Sequence, residues 1–198
     1  MYHAYGVSQS GNCYKVKLAL SQLGLPFEWH EVDMMHGEHL QPAFLRMNPN
    51  AKVPVLAIDD DTFLPESNAI LYYLAQGTEL MPAGRLEQAQ VMQWLFFEQY
   101  SHEPHIAVAR FIHVFLGRPA SREAELASKM KGGYKALDVM EQHLGKHVYF
   151  VGNRYSIADI ALYAYTHKAH EGGFSLDAYP AIRGWLARVA AQAGHVAM

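Results

Sequence analysis

The sequence is poor in cysteine, in charge and in long apolar runs, and each shortage narrows what the chain can be. A single cysteine, Cys13, stands among 198 residues. One thiol builds no internal disulfide framework, and its isolation suits a reducing compartment. Charged residues make up 18% of the chain and the formal net charge is −3, so the basic excess that nucleic-acid binding demands is missing. No uninterrupted apolar run approaches the roughly 20 residues that span a bilayer. The opening Met1-Tyr2-His3-Ala4-Tyr5-Gly6 has neither the basic start nor the apolar stretch of a secretory signal. These shortages predict a cytoplasmic protein with no membrane and no nucleic-acid partner. Internal repeats and low-complexity tracts are absent too.

What remains is ordinary globular material, with 51% apolar residues. The length allows one large domain or two small ones. Asn48 to Ile70 is the most informative stretch. Asn48-Pro49-Asn50 is turn chemistry, because Asn tolerates left-handed geometry and Pro presets its own φ. Val53 to Ile58 is a short β-branched run that reads as a strand, closed by Asp59-Asp60-Asp61, with Thr62-Phe63-Leu64 as its antiparallel partner. Pro65-Glu66-Ser67 punctuates, and Ala69, Ile70, Tyr73 and Leu74 then recur at helical spacing, so a helix begins near Ser67.

Two features of this stretch suit a ligand. A helix start offers unpaired N–H groups and partial positive charge, so a carboxylate fits beside Ser67, while Glu66 pairs with an ammonium group. Together they match the two charged ends of an α-amino acid; an N-cap serine with a solvated glutamate is the plain alternative. A cis bond at Val53-Pro54 would turn the Val53 backbone outward to pair with an extended peptide, whereas a trans proline would merely open the strand.

Elsewhere, Tyr2 to Val7 reads as a first strand, and Val16, Leu18, Ala19, Leu20 and Leu23 trace a helix from Cys13 to Gly24. Phe27 to Val32 alternates as a half-buried strand, and a short helix follows around Pro42 to Met47. The order β-α-β-α-β-β-α predicts an α/β layer of parallel strands joined through helices with a final hairpin. Gly77, Pro82 and Gly84 mark a boundary. Beyond it Leu86 to Leu116 is helical with a kink at Pro104, Arg122 to Leu144 is a second long helix weakened at Gly132-Gly133, Ser156 caps a third with Asp159 in the capping-box position, and Pro180 to Val189 is the last.

The segments Asn48-Pro-Asn-Ala-Lys-Val-Pro-Val-Leu56 and Leu64-Pro-Glu-Ser-Asn-Ala-Ile-Leu-Tyr-Tyr-Leu-Ala75 resemble the glutathione-binding half of the cytosolic glutathione transferases. The resemblance implies a thioredoxin-like α/β domain over residues 1–77, a linker over 78–86 and an all-helical domain over 87–198. It implies a homodimer of the bacterial type, in a class with serine or cysteine at the catalytic position, that joins the thiol of glutathione to a small apolar electrophile. Glutathione is then a co-substrate and no metal is required. By the same resemblance Lys52, the Val53 backbone, Pro54, Glu66, Ser67 and His39 contact glutathione, although Leu40 stands where the class with a ligand-contacting histidine has lysine. Asp159 is assigned to folding of the helical domain.

Such a reaction needs a thiolate, and a free thiol has a pKa of about 8.5. A hydroxyl or amide donor, or a helix start, favours the charged form. The loop before the first helix therefore carries the chemistry. By the resemblance Ser10 stands at the class's serine or cysteine position and is the expected donor, a plain loop or cap serine being the alternative, with Asn12 next and Tyr5 set within the strand. Cys13 reads either as a small buried group or as a redox thiol, in which case the protein is a glutathione-dependent disulfide reductase or peroxidase; a non-catalytic glutathione-binding protein is the third reading. Phe97, Tyr100, His102, His105 and Phe111 flank Pro104 and suit an apolar pocket for the electrophile, or core packing. His102-Glu103-Pro104-His105 lacks the spacing that sets two ligands on one helical face, so no metal site is expected there, and surface and core positions account for the 12 histidines.

Overall fold

Alternating burial organises the first strand: in β1 (Tyr2–Gly6) Ala4 is fully buried while His3 and Tyr5 turn to the opposite, partly open face. Ser10 then stops the chain in extended geometry and accepts a hydrogen bond from the Cys13 N–H at 3.4 Å, starting α1 (Gly11–Gln22). The helix thus begins two residues ahead of the expected Cys13, because the cap and not the apolar period sets its start. Val16, Leu18, Ala19 and Leu20 are completely buried, each large side chain contributing about 1.5–3 kcal/mol. Gly24 ends the turn with φ +63°, a conformation a Cβ resists.

All 198 residues of the computed structural model are described. They divide into two compact units, one of Met1–Met81 with Gln192–Met198 and one of Pro82–Ala191. In the first, β2 (Phe27–Glu31) lies parallel to β1 with Tyr2 opposite Phe27 and Tyr5 opposite His30. After a 3₁₀ turn at Glu38–Leu40 and α2 (Pro42–Met47), β3 (Val55–Ala57) and β4 (Phe63–Pro65) complete a sheet of order β2-β1-β3-β4, and α3 (Ser67–Ala75) follows. The expectation of parallel strands holds only for β1 and β2. β3 runs antiparallel to β1, because the chain reverses through the Asn48–Ala51 turn after a helix of only six residues, and hydrophobic periodicity carries no strand direction. The strand is also shorter than Val53 to Ile58, since Pro54 has no N–H to give the ladder. The tail returns to this unit: the Tyr14 hydroxyl donates to the Val196 carbonyl at 2.7 Å and the Ser21 hydroxyl to that of Gly194 at 2.8 Å.

The second unit is helical: α4 (Arg85–Phe97), α5 (Glu103–Arg110), α6 (Glu123–Leu144), α7 (Ile157–Thr166) and α8 (Pro180–Ala190). The expected kink at Pro104 takes a specific form. A π-helical turn at Glu98–His102 joins α4 to α5, and Pro104 follows directly on that widened turn as the second residue of α5. A second π turn, Phe111–Phe115, closes α5. Gly132 and Gly133 do not interrupt α6. They admit neighbours, since a Cβ on Gly132 would collide with the His105 ring and one on Gly133 with Phe174.

α7 is buried over its whole length, and Asp159 ties it to its surroundings. This carboxylate, 0% exposed, accepts from Trp185 Nε1 at 2.9 Å, from the Phe150 N–H at 3.3 Å, and from the Ser156 N–H and Oγ at 3.0 and 3.2 Å. The expected capping box is therefore present. Removing it in Asp159→Ala strands these buried donors at about 1–3 kcal/mol apiece, and we expect urea denaturation to show a loss of at least about 3 kcal/mol. Burial pushes the Asp159 carboxyl up to about 7. The folded chain then keeps a proton that the unfolded chain releases, so this group's stabilisation is full below about pH 4 and is lost as pH rises towards 7. Asp159→Asn should flatten that part of the stability profile; an identical profile in the variant would refute the titration.

Candidate functional site

Two helix starts meet in the first unit. Asn12, in the first turn of α1, accepts through Oδ1 from the Ser67 hydroxyl at 3.3 Å, and Ser67 is the first residue of α3. On its other side Ser67 Oγ accepts from Lys15 Nζ at 3.4 Å, and the same ammonium reaches Asn68 Oδ1 at 3.4 Å. Lys15 is fully buried and Ser67 is 5% exposed. A cation and two sets of helix N–H groups thus share one corner, a setting that favours an anion. Because Oδ1 of Asn12 faces Ser67, its amide donors point elsewhere, and the Ser10 hydroxyl accepts from the Cys13 N–H and also bonds the Cys13 thiol.

Glu66, exposed and immediately before α3, holds φ +71°. A residue other than glycine at positive φ costs about 1–3 kcal/mol, and such residues cluster at active sites, ligand clamps and switch regions. Beside it, Val53 joins Pro54 through a cis peptide bond. The β3 ladder begins only at Val55, so the Val53 backbone lies beyond the strand pairing. Asn48, 4% exposed, shapes this loop: its amide donates to the Lys52 carbonyl at 2.7 Å, its Oδ1 accepts from the Asn50 N–H at 3.0 Å and its carbonyl from the Ala51 N–H at 2.9 Å. The Lys52 side chain is exposed, while His39 is half-buried in the 3₁₀ turn with Nδ1 lacking a partner.

Residues 9–76 match the model of the glutathione S-transferase N-terminal domain and residues 105–193 that of the C-terminal domain. The chain belongs to the glutathione S-transferase family. It is 34% identical over 200 residues to glutathione S-transferase 3 of Zea mays, covering 95% of this chain and 88% of that one. Its structure is similar to that of a glutathione S-transferase from Pseudomonas fluorescens, with 56% identity, a TM-score of 0.98 and coverage of 99% and 98% of the two chains. It is also similar to Ure2p in complex with glutathione, at 25% identity, a TM-score of 0.86 and coverage of 98% and 90%.

Within this glutathione S-transferase family member, Ser10, Asn12, Glu66 and Ser67 belong to the two helix starts, and Lys52, Val53 and Pro54 to the loop shaped by Asn48. Sequence reasoning missed Lys15. Its signal was a lysine embedded among the apolar positions of α1, where a solvated cation is out of place. A concavity of about 530 Å³ in the same unit lies away from these residues, lined by Tyr5, Phe44, Met47, Asp60 and Phe63 among others.

The five residues expected to meet the electrophile divide in the second unit, with Phe97 half-buried edge-on to Trp94 at 5.2 Å. Tyr100 is 86% exposed and Phe111 47%, the latter stacked on Phe115 at 5.5 Å. His105 is half-buried against Gly132, and burial lowers its pKa. His102 is 0% exposed, with Nε2 at 2.9 Å from Thr166 Oγ1. It has no exposed surface to give a pocket, which corrects the expectation for this residue.

Cys13 is completely buried and its Sγ accepts from the Val7 N–H at 3.3 Å. Burial pushes the thiol up to about 11, which opposes the redox reading. We expect Cys13 to react with an aromatic disulfide reagent roughly two to three orders of magnitude more slowly in the native protein than in the unfolded chain, from the thiolate fraction alone. Equal rates at neutral pH would overturn its burial as the controlling factor.

Proposed function

We propose that this protein is a glutathione transferase of the bacterial type and of the class with serine at the catalytic position, conjugating glutathione to a small apolar electrophile. The observation that carries the reading is the junction of the two helix starts through Asn12, Ser67 and buried Lys15. In this reading the α-carboxylate of the γ-glutamyl group lies at the start of α3 on Ser67, and its ammonium group on Glu66. The peptide runs along the Val53 backbone next to Pro54, with Lys52 and His39 reaching its other carboxylate. The thiol then falls beside α1, where Ser10 donates to it and Asn12 supports the charged form. Lowering the thiol pKa and holding it in place supply the catalysis.

The electrophile rests on the second unit against Tyr100, His105 and Phe111. Family resemblance supports a glutathione-binding domain over 1–77, a linker over 78–86 and a helical domain over 87–198, of which Gln192–Met198 packs with the first unit, and it supports a cytoplasmic homodimer. The reaction draws on no metal. A second reading, glutathione-dependent disulfide reduction, rests on the placing of Asn12 at the helix start, and it would run without Cys13.

Calorimetry tests the glutathione reading: binding at millimolar concentration or tighter is expected, and no heat from the folded protein would end it. Ser67→Ala should weaken affinity by about tenfold, the worth of one hydrogen bond to a charged group. Ser10→Ala should leave affinity nearly unchanged while raising the pKa of the bound thiol by about one unit, read from thiolate absorbance in the ultraviolet. If Asn12→Ala produces that rise and Ser10→Ala does not, the donor is Asn12. A model aryl halide and a small disulfide, offered in parallel, separate conjugation from reduction.

A further inference from the structure

The parallel register of β1 and β2 assembles a second group of donors that the glutathione chemistry does not use. His3 lies opposite Glu28 and Tyr5 opposite His30. Alternation sends all four to one face, since Gly6 and Trp29 meet Cys13 on the other. His3 Nδ1 stands 2.9 Å from His30 Nε2 and 3.5 Å from Glu28 Oε2, and His30 Nε2 stands 3.8 Å from Glu28 Oε1. We propose that His3, Glu28 and His30 form a binding site for a divalent transition-metal ion that bridges β2, the edge strand, to β1.

Three features support this site. Two imidazole nitrogens and a carboxylate are a donor set suited to zinc, copper or nickel, and the separations are those of ligands each about 2.0–2.2 Å from one ion. His30 is already oriented, with Tyr5 stacked on its ring at 4.6 Å and 15° and His3 at 5.2 Å and 26°, so little rotamer freedom is lost on binding. The side chains are 40%, 53% and 32% exposed for His3, Glu28 and His30, which leaves an entry path and room for water in the remaining coordination positions. The ion replaces the His3–His30 hydrogen bond. Each ring then offers an unprotonated inner nitrogen to the ion, its outer nitrogen carrying the N–H.

The inference goes beyond the transferase reading and stands apart from it. Its test is a titration of untagged, glutathione-free protein with Zn²⁺ alone, followed by competition with a chromophoric chelator. Saturable binding of one ion per chain is expected. His3→Ala and His30→Ala should each weaken it by more than the about 10–100-fold typical of losing an outer-shell partner. His36→Ala, which removes an exposed histidine paired with Asp33 in a different loop, should change nothing. Zn²⁺ should raise the unfolding temperature of the parent protein and of His36→Ala but not of the two ligand variants. Far-ultraviolet circular dichroism and a cooperative thermal transition like those of the parent show that the variants are folded. Should they fail to fold, Co²⁺ bound to the parent protein must give paramagnetically shifted resonances from His3 and His30. Absence of those shifts, absence of saturable Zn²⁺ binding, or binding undiminished in folded His3→Ala and His30→Ala overturns the site and leaves a hydrogen-bonded histidine pair.

Discussion

A lysine ammonium buried under a serine hydroxyl is the constraint on which the first unit turns. Lys15 has no exposed surface, and taking an ammonium out of water costs several kcal/mol unless its donors are met. Ser67 and Asn68, at the start of α3, are two of its acceptors. Meeting them obliges α1 and α3 to lie side by side at their N-terminal ends, and Asn12 completes the link by accepting from Ser67. Packing along the two helices, with Leu18, Leu20, Ile70 and Leu71 all fully buried, supplies most of the stabilisation. The polar junction supplies the register.

That register also explains why strain collects beside it. With α3 held at Ser67, the chain enters from β4 through Glu66, and it does so at a positive φ that a glutamate adopts at a cost. A glycine would relieve the backbone but would remove the carboxylate. The loop before β3 follows the same logic, because Asn48 spends its whole amide on backbone groups and thereby presents Val53 outside the ladder. In the second unit the corresponding centre is Asp159, which gathers Trp185, Phe150 and Ser156 around a helix that has no solvent face.

Much of this was legible from residue order because caps, turns and periods are local. Ser10, Ser67 and Ser156 each precede or open an apolar helical pattern, and Pro65-Glu66-Ser67 announced both a boundary and a pair of charges suited to an amino acid. Other features depended on distance in space. Lys15 is buried only because the start of α3 lies over it. His102 reads as a pocket residue, yet it is buried with Nε2 beside Thr166. Gly132 and Gly133 read as weak points, yet they are where His105 and Phe174 pack closest.

The sequence by itself determined the types and order of the elements and the α/β then all-α organisation, since each depends on neighbours within a few positions. Tertiary structure alone decided the antiparallel entry of β3, the return of Gln192–Met198 to the first unit, the burial of Lys15 and Cys13, and the meeting of His3 with Glu28 and His30 across 25 or more positions of chain. Strand direction, solvent exposure and side-chain separation are properties of the packed chain, and no local pattern encodes them.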